Sequence, residues 1–206
     1  MERDQRRSLP LPGAAASRTM EAAILEPQRA EEGPENSRKR ILSFSSETPY
    51  RRYFGMEVLD HAENAVNLDR LNGSGVLLFN HDVNRVLGKV LRAWVENGRG
   101  YAEVEFDTDG DAEKIFGKVA SGTLKTTSVR YTVDTWETVK AGAATADGRF
   151  AGPCEIARRW TPLEVSIVSV PADATVGVGR SEGDGLDLSL YERQIQININ
   201  RMGGSQ

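Results

Sequence analysis

The chain has 206 residues and a formal net charge of -4, which argues against the basic footprint of a nucleic-acid-binding protein. With 39% hydrophobic residues and a mean hydropathy of -0.45, the composition predicts a folded centre with polar ends. One cysteine, Cys154, and two histidines leave no internal disulfide and no multi-cysteine zinc site, and no carboxylate cluster has metal-ligand spacing, so neither metal nor cofactor is expected. No window approaches the roughly 18 apolar residues of a membrane span, and the N-terminus lacks an apolar run of signal-peptide length. The sequence therefore reads as soluble and intracellular, without a membrane.

Residues 1–40 are rich in Arg, Glu, Pro, Ser and Ala and show no apolar period, which predicts a disordered extension. From Ile41 onward, "ILSFSSET" gives a weak strand signal. In "YFGMEVLDH", Phe54, Met56 and Val58 share one strand face. "GSGVLLFN" is a short apolar run bounded by glycines and an asparagine, typical of a buried strand. "RVLGKVLRAWVENGRGYAEVEF" predicts a hairpin turning at Asn97-Gly98, where both positions tolerate positive φ. Tyr101, Val104 and Phe106 do not alternate strictly, which suggests a bulge.

One helix interrupts the strands. In "DTDGDAEKIFGKVASG", Ala112, Ile115, Phe116 and Val119 fall on one face of a 3.6-residue period, Asp107, Asp109 and Asp111 offer caps, and Gly122 is a natural stop. Strands resume in "TTSVRYTVDTWETV", with Val129, Tyr131 and Val133 on one face and Ser128, Arg130, Thr132, Asp134 and Trp136 on the other. Residues 140–153 are small and polar and read as a loop. The last long strand region is "EIARRWTPLEVSIVSVP". Residues 181–206 read as a flexible tail, although Ile195, Ile197 and Ile199 alternate. Seven or eight strands with one amphipathic helix predict a mainly β fold. A small, closed or nearly closed barrel is favoured over an open sheet, because closure removes exposed sheet edges; pattern alone does not separate a barrel from a sandwich.

Only His61 and His81 can act as a histidine base. His61, in "LDHAEN", reads as a solvated loop residue, whereas His81 ends a buried run and stands at the rim of a core. Ser128 is the serine to pair with it, and Glu164 and Ser166 share a face of the later strand, where a carboxylate could orient the ring. Asp82, beside His81, points to the opposite strand face and is a poorer orienter. Cys154 has no histidine nearby in sequence and reads as an incidental thiol. Taken alone, these residues do not identify an enzyme.

The ordered segments "SFSSETPYRRYFGMEVLDH", "VLLFNHDVNRVLGKV", "GTLKTTSVRYTVDTWE" and "RRWTPLEVSIVSVPADATVGVGRS" resemble the prohead (capsid-maturation) serine protease family of tailed phages. The resemblance covers about residues 41–180, the whole expected domain. It implies a herpesvirus-assemblin-like β-barrel flanked by helices, and an endopeptidase that cuts scaffold and capsid-protein precursors inside the assembling prohead, and often itself. By motif, His81 of "NHD" and Ser128 of the Ser-Val-x-Tyr segment become base and nucleophile. Glu164 of "LEVS" becomes the third member, with Ser166 and Asp82 as alternatives. The family's usual glycine two residues after the nucleophile is Arg130 here, which would either donate to an oxyanion or bind substrate, or mark reduced activity. The resemblance needs no cofactor and is compatible with a homo-oligomer. The alternative is a non-catalytic scaffolding or capsid-assembly module of the same fold; a metal-dependent phosphohydrolase, suggested by the His81-Asp82 pair, lacks further ligands.

Overall fold

The structure is a computed structural model that describes residues 9–21, 24–25 and 38–169. The expected tail 181–206 and its alternating isoleucines lie outside the described residues, as does most of the N-terminal extension.

The described chain is mainly β. Its strands are β1 (Ala15–Glu21), β2 (Ile24–Leu25), β3 (Lys39–Ser46), β4 (Tyr50–Arg52), β5 (Gly55–Leu59), β6 (Val76–Phe79), β7 (Asp82–Glu96), β8 (Arg99–Phe106), β9 (Thr126–Val139) and β10 (Cys154–Val168). Two helices accompany them, α1 (Asp69–Ser74) and α2 (Gly110–Ala120). One sheet runs in the order β1-β9-β10-β6-β7-β8-β3-β2, with the β4–β5 hairpin attached to β10. The sheet curls until β3 approaches β9, where the Thr127 hydroxyl donates to the Ser43 carbonyl at 2.8 Å. That curl is the nearly closed barrel the strand inventory predicts. Its interior is filled by Leu42, Phe44, Leu77, Phe106, Tyr131, Trp160 and Ile167, among others.

β10 organises the sheet. It lies antiparallel to β9 along most of its length, while its other edge pairs in parallel with β5 at Glu155–Ala157 and with β6 at Val165–Ile167. Residues 164–166 are thus held between β6 and β9. The β7–β8 hairpin turns at Asn97 and Gly98 with φ of 50° and 69°, as the dipeptide predicts. The bulge expected on β8 lies elsewhere. Gly100, Ala102, Val104 and Phe106 alternate inward without interruption, and the irregularity falls on the partner strand between Val90 and Arg92. Ala102 was the inward residue too small to register as apolar.

α2 matches its periodicity. The Asp109 carboxylate accepts from the backbone N–H groups of Asp111 and Ala112, and Ala112, Ile115 and Val119 are buried. α1 was not anticipated, because six residues with one buried side chain, Leu71, are too short for a period to show.

The reading of residues 1–40 as disordered needs correction at Ala15–Glu21. This segment pairs antiparallel with β9 from Ala15↔Thr132 to Glu21↔Thr126. Its order comes from main-chain hydrogen bonds and one buried arginine, Arg18. Neither leaves an apolar pattern in the sequence.

Candidate functional site

β6 and β7 are joined by Asn80 and His81, both left-handed, with φ of 55° and 60°. Non-glycine residues adopt this region at a cost of about 1 kcal/mol or more each, so the turn needs external anchors. β10 provides them. The Asn80 carboxamide oxygen accepts from the Ser169 N–H at 2.9 Å, and the His81 N–H donates to the Ser166 hydroxyl at 3.1 Å. His81 is therefore a turn residue whose ring is aimed along the sheet toward β9.

The ring lies between two side chains. Its Nδ1 is 2.6 Å from Glu164 Oε1, and its Nε2 is 2.7 Å from Ser128 Oγ. The other Glu164 oxygen accepts from the Ser166 hydroxyl at 2.6 Å. Glu164 and Ser166 lie two residues apart on β10, just past a register irregularity at Pro162/Glu164, and Ser166 is the direct neighbour of Ser128 across the β9–β10 ladder. One carboxylate thus fixes the ring and the hydroxyl that holds the backbone beneath it.

Hydroxyl, imidazole and carboxylate in this sequence have the geometry of a serine–histidine–acid array. The proton count around Ser128 is what sets its chemistry. Ser128 Oγ is also 2.9 Å from the Arg18 carbonyl. A hydroxyl has one proton. With the ring proton on Nδ1 toward Glu164, the single Ser128 proton faces two acceptors, the Arg18 carbonyl and His81 Nε2. β1 pairs alongside β9 with Thr19 opposite Ser128, and Ser128 has no exposed surface (0%).

The remaining candidates stand apart. Arg130 is half-buried on β9, opposite Glu164 in register, and the hydrogen bonds of the array are made without it. Asp82 is exposed and accepts from the Asn84 N–H. Cys154 is buried, with its thiol directed at the Ala151 carbonyl. Among the described residues, no group of three or more metal-ligating side chains converges, and no helix is long and apolar enough to cross a membrane.

His61 departs from its reading as a solvated loop residue. It is 6% exposed and packs edge-on against Trp160. Nδ1 donates to the Leu59 carbonyl at 2.9 Å, leaving Nε2 to accept from the Ser45 hydroxyl at 2.7 Å. Burial pushes its pKa down from 6.5 to about 4. The polar neighbours in "LDHAEN" concealed a ring that turns inward.

A second buried cluster, also unmarked in the sequence, surrounds Glu57. Its carboxylate accepts from Arg52 Nε at 2.7 Å and from the Tyr131 hydroxyl. Burial and the Glu57 charge push the Tyr131 phenol well above its ordinary pKa. Beside them lies Arg18, 2% exposed, with one nitrogen donating to the Thr48 carbonyl and its guanidinium 5.4 Å from the Tyr50 ring centre.

The chain is 36% identical over 144 residues to the major capsid protein of Halomonas phage phiHAP-1, a match covering 68% of this chain and 23% of that protein. No family model and no solved structure matches the chain. The comparison corrects the expectation of a serine endopeptidase. The relative is named for a structural component of the capsid. Of the motif resemblance, the link to phage capsids is supported and the protease activity is not. The chain is related in sequence to a segment of a phage capsid protein.

Proposed function

We propose that this chain is a non-catalytic capsid-assembly module, working inside the infected cell on the assembling shell, with the phage major capsid protein as its partner. The observation that carries this reading is the 144-residue similarity to a major capsid protein, which covers 68% of the chain. On this reading Glu164, His81 and Ser128 are a structural device. They tie the β6–β7 turn to β10 and β9, and so hold the barrel wall that a partner would meet in one register.

The burial of Ser128 supports the same reading. A nucleophile needs an open approach, whereas here the hydroxyl is enclosed and has the Arg18 carbonyl as a second acceptor beside His81. The test is co-expression of the full chain with the capsid protein of the same phage, followed by sedimentation and intact-mass measurement. The expected outcome is co-sedimentation with assembled shells and full-length masses for both proteins. A shortened capsid protein that regains full length with Ser128→Ala would refute the proposal.

A further inference from the structure

β1 sits poorly in the groove it occupies. Its side chains alternate, Ala15 and Ser17 outward, Ala16 and Arg18 inward, and of the described ones only Arg18 is fully buried. Along it lies a half-open pocket of about 490 Å³, lined by Ala14–Ser17 of its own segment and by Phe54, Val133 and Trp136, and reaching the Arg52–Glu57 pair. The Ala16 methyl group fills little of this space, and Leu11, at the mouth of the cavity, is 79% exposed. The indole N–H of Trp136 is buried without an acceptor.

The arginine pocket shows the same incomplete fit. Glu57 and the Tyr50 ring make it a seat for a cation, and the Thr48 carbonyl takes one guanidinium nitrogen. Among the described residues, Nε and the other terminal nitrogen of Arg18 have no hydrogen-bond partner, and burial pushes its pKa down. A buried donor without an acceptor costs free energy. The present occupant therefore leaves the apolar part of the groove unfilled. What holds it is the main-chain ladder to β9, which any extended peptide can make.

We propose that this groove is a docking site for an extended peptide carrying a large apolar side chain two residues before an arginine, and that β1 occupies it in cis as a weaker substitute. The spacing follows from the strand period: the arginine stands at Arg18, opposite Val129, and the apolar side chain at Ala16, opposite Tyr131. The planar fork of arginine suits a pocket offering a carbonyl, a carboxylate and a ring face better than the point charge of lysine. The inference goes beyond the assembly role and stands whether or not that role holds.

The test uses labelled peptides of residues 11–21, either native or with leucine in place of Ala16, titrated by fluorescence anisotropy into the full chain. The chain is used as wild type and as Arg18→Ala, which weakens the resident strand's hold. The leucine peptide is expected to bind Arg18→Ala at least tenfold more tightly than wild type, and about tenfold more tightly than the native peptide. Replacing its arginine with alanine should abolish binding. Equal binding of all peptides, or none to either chain, would overturn the proposal. A second variant keeps the test open should Arg18→Ala not fold: Ala16→Leu in the full chain should raise Tm and block the peptide, and a lowered Tm would equally overturn it.

Discussion

Buried His61 makes this protein's stability depend on pH in a defined window. The ring is enclosed by Trp160 and fixed as the Nδ1–H tautomer between the Leu59 carbonyl and the Ser45 hydroxyl. Burial is the main force lowering its pKa; the Leu59 carbonyl and Asp60 pull upward, and the Arg18 and Arg149 charges push down. In the unfolded chain the ring titrates near 6.5, and in the fold at about 4. Between these values the unfolded state binds the proton and the folded state does not. The contribution is therefore fully present above pH 6.5 and is lost as pH falls toward 4. At about 1.4 kcal/mol per pH unit the whole effect is about 3 kcal/mol, of which about 2 kcal/mol should be gone at pH 5. Urea unfolding at pH 7 and pH 5 measures it, with an expected fall in midpoint of roughly 1 M for an m-value of about 2 kcal/mol/M. The His61→Gln chain, less stable at neutral pH, should lose much less over the same interval, which separates His61 from carboxylates titrating nearby. Equal losses in the two chains would refute the assignment.

Two further outcomes test the polar array and the barrel interior. Glu164→Ala strands both His81 Nδ1 and the Ser166 hydroxyl and releases the left-handed turn, so it should cost about 2–3 kcal/mol in urea unfolding. Ser128→Ala removes the hydroxyl between His81 and the Arg18 carbonyl but leaves the turn anchored by Glu164 and Ser166, so it should cost about 1 kcal/mol; a larger loss for Ser128→Ala than for Glu164→Ala would contradict the structural role given to the array. Gly100→Ala places a methyl group 2.4 Å from Ser45 Oγ and 2.6 Å from Phe44 Cζ, which should lower stability by about 1–3 kcal/mol. An unchanged thermal midpoint would show that β3 yields more easily than its packing indicates.

Features with a period or a turn signature were legible in the sequence. The Asn97-Gly98 hairpin, the Asp109-capped helix and the inward face of β9 each follow from residue types at regular spacing, and the mainly β class follows from the number of strands. His81, Ser128 and Glu164 could be nominated, but nothing in their separation along the chain, 47 and 36 residues, requires the contact that the β6–β10–β9 order creates. The unread parts share a physical cause. β1 is ordered by main-chain bonds and one arginine, His61 is buried among polar neighbours in sequence, and Glu57 pairs with Arg52 across a hairpin. In each case burial is conferred by distant partners, which local composition does not report.

Ser128 shows how such a distant partner sets the character of a site. The three side chains of the array come from β9, the β6–β7 turn and β10, and their spacing alone would suit proton transfer. The fourth contact, from the Arg18 carbonyl, belongs to a strand that sequence composition assigned to disorder. Because that contact is made by the main chain, it depends on β1 lying in the groove and not on the identity of any side chain at position 18. The arginine matters indirectly, by fixing where along β9 the strand sits and so which carbonyl faces Ser128. A shift of one residue would turn Arg18 to solvent and move a different peptide group over the hydroxyl. The register of a weakly held strand and the hydrogen bonding of Ser128 are therefore one property of the structure, and the unfilled pocket along β1 is where that register is least secured.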